Sequence, residues 1–419
     1  MGQRAPRRTG FLITNMSGGG AERVVSNLVH AMPERRPLLF LFEDEIVYPF
    51  DGEIQTLDAP LTNQSASLFK MVRGLIRLSR IKSASPLDTC VSFLTWPNIF
   101  NILTRRDERV IISVRNNPTL SIRGKSSPII KQLVRTLYPR ADHIVAISQD
   151  VRRDLIDQFG IAPSKITTIY NPINLDSVCT DAHRALPEEL HDLADYPTVL
   201  SMGRLTLQKG QWHLLRAFRE VKNHIPNARL LLLGIGPYQN YLARLARQLD
   251  LSVWLHENRG DSRALDHDVI FWGFSSNPFA IMAASQVFAF TSLWEGLGNV
   301  ILESLATGLP VVSADCPSGP REILAPGTLT ARPIVEPEWA PFGVLMPVCN
   351  GHRPQNKTTL LAEEEIWANV LTHLLQDHEL RQSYSRRGKL RAADFALHKI
   401  VSNWRSLLAL EPQGTIHSP

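Results

Sequence analysis

The segment from residue 291 to residue 323, TSLWEGLGNVILESLATGLPVVSADCPSGPREI, constrains the fold more than any other part of the chain. Its pattern predicts the end of a short apolar strand, a tight loop, a helix over 299–307 and a second strand. Glu295 then follows a strand and Glu303 lies on the helix, with seven residues between them. A helix N-terminus offers free backbone N–H groups and a positive dipole end, which suit a phosphate or sugar oxygen. Two carboxylates that bracket those groups can hold hydroxyls on either side of a diphosphate.

Strand and helix patterns alternate along both halves of the 419-residue chain, which predicts an α/β protein with two doubly wound parallel sheets. A polar stretch over 174–197 has little periodicity and predicts a linker between an N-terminal domain, 1–173, and a C-terminal domain, 198–395. Residues 396–419 are expected to form a C-terminal helix and tail that can cross back to the N-terminal domain. The periodicity near the end of the chain predicts helices over 363–377 and 379–409.

The composition, with 44% hydrophobic and 20% charged residues, is that of a soluble globular protein. Four scattered cysteines lack metal or disulfide spacing, which indicates free, mostly buried thiols in a reducing compartment. The N-terminal apolar run is too short for a signal peptide, and no stretch approaches the roughly 18 residues of a membrane span. We therefore expect a cytoplasmic protein, either free or peripheral on the cytoplasmic face of the membrane.

Positive charge is concentrated between residues 64 and 140, where 14 lysines and arginines face three acidic residues, a net charge of +11. Such a region predicts an anionic partner: nucleic acid, phospholipid or a diphosphate-bearing acceptor. Within it, the segment 67–82 has helical periodicity, and two interpretations stay open: a core helix with a solvated basic face, or a peripheral contact to anionic lipid. The predicted apolar stripe is Leu68, Met71, Val72, Leu75, Ile76 and Ile81. The cations placed elsewhere on the helix are Lys70, Arg73, Arg77, Arg80 and Lys82.

The loop that follows the first strand of the second half, MGRLTLQKG (202–210), brings two cations to the carboxyl end of the sheet, where doubly wound folds bind ligands. Arg204 and Lys209 can stabilise the charge that grows on a departing nucleoside diphosphate. Glycine-rich turns follow two other strands, at 18–20 and 234–236. Alone, such turns are a weak indication of phosphate binding.

These segments resemble the signature of retaining, nucleotide-sugar-dependent glycosyltransferases of the GT4 type: E-x7-E, A-x-G-x-P-V-V, G-P-x-E-I and the diphosphate loop GRLTLQKG. The resemblance implies the GT-B fold, two Rossmann-like domains facing a central cleft, with the donor mainly on residues 196–395 and the acceptor mainly on 1–170. It implies that Glu295 holds sugar hydroxyls, Glu303 the ribose, and the backbone amides of 297–300 the diphosphate and sugar.

The predicted site residues fall into three groups. The predicted catalytic residues are Glu295, Arg204 and Lys209. The predicted donor-binding residues are Gly18, Gly19, Gly203, Gly234, Gly236, Leu297, Gly298, Asn299, Val300 and Glu303. The predicted acceptor-binding residues are Arg115, Asn116, Lys131 and Arg135. Where many members of the family have a histidine near the transferred sugar, this chain has Arg115, so no catalytic histidine is predicted.

No metal or other cofactor is expected. Asp266-His267-Asp268 resembles the D-x-D metal motif of other glycosyltransferases, but it immediately precedes a strand in a polar loop, and we assign it as loop. The resemblance implies that arginine, lysine and the helix dipole replace the metal.

The sequence thus predicts a retaining glycosyltransferase that moves a sugar from a UDP- or GDP-linked donor to a hydroxyl of a lipid-linked glycan, in surface polysaccharide or lipid-linked oligosaccharide synthesis. Two alternatives stay open: a soluble GT-B synthase acting on a free sugar or glucan, and a nucleic-acid-binding module that uses the basic first domain. The latter lacks aromatic interleaving and any nucleic-acid motif, so nucleic acid is not expected as a partner. Donor base, sugar, acceptor linkage and oligomeric state are not encoded in any recognised pattern.

Overall fold

The structure, a computed structural model, describes residues 8–17, 19–59, 68–124, 126–258, 263–328, 333–352 and 359–409. The chain divides into two compact units. Unit 1 comprises Met1–Pro172 together with Leu397–Pro419, and unit 2 comprises Ile173–Ala396.

Within its described residues, unit 1 contains a seven-stranded parallel sheet in the order β3-β2-β1-β4-β5-β6-β7. Its strands are β1 (Thr9–Ile13), β2 (Leu38–Leu41), β3 (Glu53–Thr56), β4 (Thr89–Phe93), β5 (Arg109–Val114), β6 (His143–Ala146) and β7 (Ile166–Thr168). Its first helices are α1 (Gly20–Ala31), α2 (Leu68–Ala84), α3 (Thr95–Leu103), α4 (Pro118–Ser121), α5 (Ser127–Leu137) and α6 (Gln149–Phe159). Strand order reverses between β1 and β4, as in a doubly wound fold.

Unit 2 contains, in its described part, eight strands in the order β10-β11-β9-β8-β12-β13-β15-β14, all parallel except β14, which runs antiparallel to β15. These are β8 (Thr198–Met202), β9 (Arg229–Leu233), β10 (Val253–Leu255), β11 (Val269–Gly273), β12 (Val287–Phe290), β13 (Val311–Ala314), β14 (Glu338–Ala340) and β15 (Gly343–Met346). Its helices are α7 (Leu175–Ala182), α8 (Gln211–His224), α9 (Gln239–Gln248), α10 (Pro278–Ala284), α11 (Asn299–Thr307), α12 (Pro320–Leu324), α13 (Ala362–Gln376) and α14 (His378–Ala392). The predicted α/β architecture of two doubly wound, Rossmann-like domains is confirmed.

The stretch 174–197, predicted as a linker, is folded within unit 2. It contains α7 and two short 3-10 turns, and Asn277 donates from Nδ2 to the carbonyl of Asp181 at 2.8 Å. Asn174 caps the N-terminus of α7 through a hydrogen bond from the Ser177 N–H to its side chain. The polar composition of this stretch reflects half-exposed helical turns rather than a connection without structure.

The predicted helix over 379–409 is two helices. The first, α14, ends at Ala392, a 3-10 turn follows over Ala393–Phe395, and a separate helix, α15 (Leu397–Ala409), belongs to unit 1. Apolar side chains of α15 lie in the same buried cluster as β1, and Arg109 donates to the carbonyl of Leu407 at 2.8 Å. Residues 410–419, the predicted tail, lie outside the described residues.

The core of unit 1 lies on both faces of its sheet because side chains alternate along each strand. Phe11 and Ile13 of β1 pack with Trp404 of α15 on one face, whereas Leu12 packs with Phe40 and Phe100 on the other. All five residues of β1 are buried, as expected for a central strand of a parallel sheet.

The predicted apolar stripe of the 67–82 segment is wrong at two positions. The predicted basic face of the same segment is wrong at one position. Val72 and Ile76 are exposed on α2, at 45% and 48%. Lys82 is buried and pairs with Glu108 at 2.6 Å. Leu68 begins the helix, but its side chain lies outside the described residues. The inward face of α2 is therefore shifted around the helix from the predicted stripe.

Candidate active site

The predicted catalytic residues lie on two loops at the carboxyl edge of the unit 2 sheet. One loop follows β8 and carries Arg204 and Lys209; the other follows β12 and carries Glu295. Because β8 and β12 are neighbouring parallel strands, their carboxyl ends meet at one edge of the sheet. Doubly wound folds bind ligands at this edge.

Hydrogen bonds hold the two loops together. The Leu293 N–H donates to the carbonyl of Gln208 at 2.8 Å, and Gln208 donates from Nε2 to the carbonyl of Trp294 at 2.8 Å. The Thr291 hydroxyl donates to the carbonyl of Lys209 at 2.9 Å. These contacts fix the backbone on which the charged side chains are mounted.

Lys209 and Glu295 form an ion pair, with 2.6 Å between Nζ and Oε1. Both side chains are largely buried, at 15% and 10% exposure, and Lys209 Nζ also lies 4.8 Å from the centroid of the Phe290 ring. A cation held by a carboxylate and an aromatic face has a fixed position. Arg204 is exposed on the same loop as Lys209, and its carbonyl accepts from Gln211.

Close backbone contacts at this edge require glycine at three positions. Gly210, with φ of +62°, precedes α8, and a Cβ there would lie 2.5 Å from the carbonyl oxygen of Thr291. Gly234, with φ of +134°, follows β9, and its Cβ would lie 2.1 Å from the carbonyl oxygen of Gly203. A Cβ on Gly236 would likewise approach the Leu205 carbonyl at 2.4 Å. The predicted donor-binding glycines Gly203, Gly234 and Gly236 thus lie in two contacting loops.

The second predicted carboxylate lies on the helix that follows the Glu295 loop. Glu303 is on α11 and is 6% exposed. Gly298 caps this helix in the left-handed conformation, and Asn299 and Val300 form its first turn. The N–H groups of a first helical turn and the positive end of the helix dipole can bind an anionic ligand. Leu297 is buried just before it.

Two polar residues that the sequence analysis missed lie at the same edge. Ser292 follows β12 and Gln211 begins α8; they are 0% and 3% exposed. Within the described part of the chain, the Ser292 hydroxyl and Gln211 Oε1 have no hydrogen-bond partner. The only indication of these two residues in the sequence is their position, because each lies directly beside a predicted loop. Such atoms can bind polar groups of a ligand.

A buried charged cluster links α8, the helix that follows the Lys209 loop, to α13. Glu364 on α13 accepts from Arg216 Nε at 2.8 and 2.9 Å and from the Leu361 N–H, and lies 2.7 Å from His213 Nδ1. Burial raises the pKa of Glu364, but hydrogen bonds with His213, Leu361 and Arg216 outweigh it, so that pKa is lowered. Since α8 follows Gly210 directly, this cluster anchors the helix that carries the Lys209 loop.

The predicted acceptor residues of unit 1 do not share one environment. Arg115, at the end of β5, is 5% exposed; it donates to Asn171 Oδ1 and to the Ser113 hydroxyl. Burial lowers the pKa of Arg115 to about 9, although the negative charge of Glu22 acts to raise it. Asn116 beside it is exposed.

The other two predicted acceptor residues, Lys131 and Arg135, lie on α5 and bind backbone carbonyls of neighbouring segments, those of Thr119 and Gln158. In the turn after β1, Gly19 precedes α1, where a Cβ would lie 2.2 Å from Glu22 Oε2. Gly18, also predicted to bind the donor, lies outside the described residues.

The D-x-D segment lies at the opposite edge of the unit 2 sheet, because it precedes β11 rather than following it. Asp268 accepts hydrogen bonds from the Ser252 N–H and hydroxyl at 2.9 and 2.8 Å and pairs with Lys222 at 2.5 Å. Burial raises the pKa of Asp268, but these contacts outweigh burial and lower it. Its carboxylate therefore ties β11 to its neighbours.

Two family models match the chain. Residues 196–340 match glycosyl transferases group 1, and residues 18–177 match glycosyltransferase family 4. An uncharacterized glycosyltransferase of Methanocaldococcus jannaschii is 33% identical over 313 residues, which cover 74% of this chain and 72% of that protein. The chain belongs to the GT4-type glycosyltransferases and is a transferase enzyme.

A Campylobacter jejuni relative is 29% identical over 405 residues, covering 94% of this chain and 97% of that protein: N-acetylgalactosamine-N,N'-diacetylbacillosaminyl-diphospho-undecaprenol 4-alpha-N-acetylgalactosaminyltransferase. Among solved structures, Anabaena HepE in complex with UDP and glucose superposes with a TM-score of 0.70 at 19% identity, over 96% of this chain and 100% of that one. Sucrose-phosphate synthase from Thermosynechococcus elongatus gives 0.71 at 16% identity, over 96% and 98%. These likenesses establish the GT-B fold.

Across the helices that the structure describes, none is both long and apolar enough to cross a membrane. Nor do the described His, Cys, Asp and Glu residues include a group of three or more placed to hold a metal ion.

Proposed function

We propose that this enzyme transfers a sugar, with retention of anomeric configuration, from a UDP- or GDP-linked donor to a hydroxyl of a lipid-linked glycan. The observation that carries the proposal is the Lys209–Glu295 pair at the carboxyl edge of unit 2, next to the N-terminus of α11. A fixed cation, a fixed carboxylate and the N–H groups at a helix N-terminus are the donors and acceptors that a sugar diphosphate requires.

Four of the predicted residues act through their side chains in this chemistry. Lys209 and Arg204 stabilise the negative charge that develops on the diphosphate as the bond from the sugar C1 to the phosphate oxygen breaks. The amides at the start of α11 bind the same oxygens. Glu295 accepts hydrogen bonds from sugar hydroxyls, and Glu303 from the ribose.

Retention requires no nucleophilic side chain in this scheme. The acceptor oxygen forms its bond to C1 on the face that the diphosphate leaves, and the acceptor's hydroxyl proton passes to the leaving phosphate oxygen. The surrounding charges hold the oxocarbenium-like species. Proton NMR of the first product formed from an α-linked donor gives the test: an α-linked product supports retention, and a β-linked product contradicts it.

Exposed apolar side chains beside the diphosphate loops fit the nucleobase. Ile235 follows β9 and Phe274 follows β11; they are 60% and 71% exposed, and the two strands are neighbours. A base stacked on an aromatic ring gains about 1–3 kcal/mol. We therefore expect Phe274→Ala to raise the donor KM about tenfold with little change in kcat, and Phe274→Tyr to restore it. An unchanged KM would place the base elsewhere.

The reaction is proposed to need no metal, since Lys209, Arg204 and the α11 N-terminus supply the positive charge and Asp268 is engaged by Ser252 and Lys222. Activity in excess EDTA should equal that of the untreated enzyme. Complete loss, restored by Mn²⁺ or Mg²⁺, would overturn this part of the proposal.

The donor and the acceptor are identified by two measurements. A thermal-shift screen of UDP-, GDP-, ADP- and dTDP-sugars should single out one nucleotide, because a ligand at 100 times its Kd adds about 2.7 kcal/mol to the free energy of unfolding. Transfer of the matching radiolabelled sugar is then compared between polyprenyl-diphosphate glycans and free oligosaccharides. Incorporation into lipid supports the proposed acceptor. An enzyme that uses such an acceptor would also work at an anionic membrane surface. Incorporation only into a free sugar or glucan favours a soluble synthase.

A further inference from the structure

The outward face of α2 combines apolar and cationic side chains. Phe69, Val72 and Ile76 are 74%, 45% and 48% exposed. Spacings of three and four residues place them on one side of the helix. Lys70, Arg73, Arg77 and Arg80 are also exposed, with the same spacing, and form an adjacent row. The helix contains five cations and no acidic residue.

The inward face of α2 is fixed by specific contacts. A Cβ on Gly74 would lie 2.7 Å from the Ala59 Cβ and 3.2 Å from the Phe100 ring, and Leu78 is fully buried. Lys82 is buried against Glu108 at 2.6 Å and Asn101 Oδ1 at 2.8 Å. Because these contacts set the rotation of the helix, the exposure of the opposite face follows from the packing.

Asp58, which lies outside the helix, contacts the cationic row. Asp58 pairs with Arg77, and its carbonyl accepts from Arg73 at 2.9 Å. Because α2 contributes cations and no acidic residue, its outward face carries a positive charge despite the Asp58 carboxylate. Exposed aliphatic residues and cations together are the composition of helices that lie in a membrane interface. A nucleic acid would use the cations but gain nothing from Val72 and Ile76.

We propose that the outward face of α2 is a docking surface for anionic phospholipid. Phe69, Val72 and Ile76 insert at the level of the headgroups, while Lys70, Arg73, Arg77 and Arg80 contact their phosphates. The inference deepens the proposed transfer to a lipid-linked acceptor by naming the surface that meets the membrane. Vesicle binding is measured without turnover, so either proposal can fail alone.

The test is co-sedimentation with vesicles of phosphatidylcholine alone or with 30% phosphatidylglycerol, at low and high salt. Wild-type protein should sediment with the anionic vesicles at low salt and be released by salt, because screening shortens the reach of the charges. Each cation contributes about fivefold to partitioning, so Arg73→Gln/Arg77→Gln/Arg80→Gln should weaken it on the order of a hundredfold. Phe69→Ser/Ile76→Ser should weaken it at least tenfold by losing the inserted apolar area.

The matched control is Arg386→Gln/Leu390→Ser on α14 of unit 2, where Leu390 is 73% exposed; its vesicle binding should equal wild type. Far-UV circular dichroism spectra and cooperative thermal melts should be alike in all four proteins, which shows that the variants are folded. Wild type that stays in the supernatant, or α2 variants that bind as wild type does, overturn the proposal. So does a concentration-dependent dimer, seen by analytical ultracentrifugation, that Phe69→Ser/Ile76→Ser dissociates, since the surface would then bind a second copy of the chain.

Discussion

Lys209 and Glu295, 86 residues apart in the chain, meet at 2.6 Å because neighbouring parallel strands deliver them to the same edge of the unit 2 sheet. The pair neutralises both charges in a largely buried setting. In the proposed reaction, a bound sugar diphosphate offers each of them a new partner, a phosphate oxygen for the ammonium and sugar hydroxyls for the carboxylate. The pair therefore holds both side chains in place before the donor arrives.

We expect Lys209→Ala and Glu303→Ala each to lower kcat on the order of 10²–10³-fold, because each removes a proposed preorganised polar contact to the donor. Initial rates at saturating donor measure the loss. The control is Lys389→Ala, an exposed lysine on α14, which should turn over as wild type does. Near-wild-type turnover of either site variant would remove that residue from the site.

A double-mutant cycle separates the stability of the pair from its catalytic role. Lys209→Met or Glu295→Leu alone leaves the charged partner largely buried and unpaired, which costs about 1–3 kcal/mol of unfolding free energy. The double variant should recover much of that stability in denaturant melts yet remain as inactive as either single variant. Activity that recovers together with stability would show that the pair is structural only.

Gly210→Ala should destabilise the protein and weaken donor binding. The left-handed backbone alone costs an alanine about 1–2 kcal/mol. The overlap with the Thr291 carbonyl adds about 1–3 kcal/mol and displaces the Lys209 loop. Gly327→Ala is the control, since Gly327 has φ of +85° and open space around it. Denaturant melts and nucleotide thermal shifts should distinguish the two variants; equal effects would contradict the close-contact argument.

The Glu364 cluster should make stability pH-dependent. Because its folded-state pKa lies below the ordinary 4.5, Glu364 contributes stability that is complete above pH 4.5 and lost as the pH falls toward the folded pKa. Glu364→Gln should be less stable than wild type at pH 7, and the difference in unfolding free energy should shrink below pH 4.5. The control is Glu365→Gln at the exposed neighbour, which should be about as stable as wild type at pH 7. A difference that stays constant with pH would contradict the argument.

The thiols should react at very different rates. Burial raises the pKa of Cys90 to about 11 and those of Cys316 and Cys349 well above their ordinary value, whereas Cys179 is exposed. Because the thiolate is the reactive form, a thiol reagent should modify one cysteine quickly in native protein and four in denaturant. Cys179→Ser should abolish the fast phase. Rapid modification of a second thiol would show that a buried cysteine is accessible.

Elements with strong apolar runs could be predicted from the sequence, and elements defined by tertiary contacts could not. The runs LLFL and VFAF form β2 and β12. The edge strand β3 is the polar sequence EIQT, which alternation does not reveal. Helix α3 contains Asn98 and Asn101, and these are buried only because they donate to the carbonyls of Ser113 and Cys90 on neighbouring strands.

The candidate site was predictable as a set of residues but not as a geometry. The strand–loop–helix pattern of the sequence predicts that Glu295, Lys209 and Glu303 lie at one edge of the sheet. It does not show that the first two pair, nor that Ser292 and Gln211 lie beside them. The rotation of α2 was mispredicted because Gly74 and the buried Lys82 define its inward face, and neither is an apolar side chain that a periodicity would count.

The assignment of α15 to unit 1 has a consequence for biosynthesis. Ile400, Trp404 and Leu408 complete the apolar layer over β1, although they follow all of unit 2 in the chain. Domains emerging from a ribosome usually fold in the order in which they are made. The N-terminal sheet therefore cannot complete its core until residues 397–409 have been translated, and until then one of its faces is incompletely covered. Unit 2 is the first part of this enzyme that can reach its finished fold during synthesis.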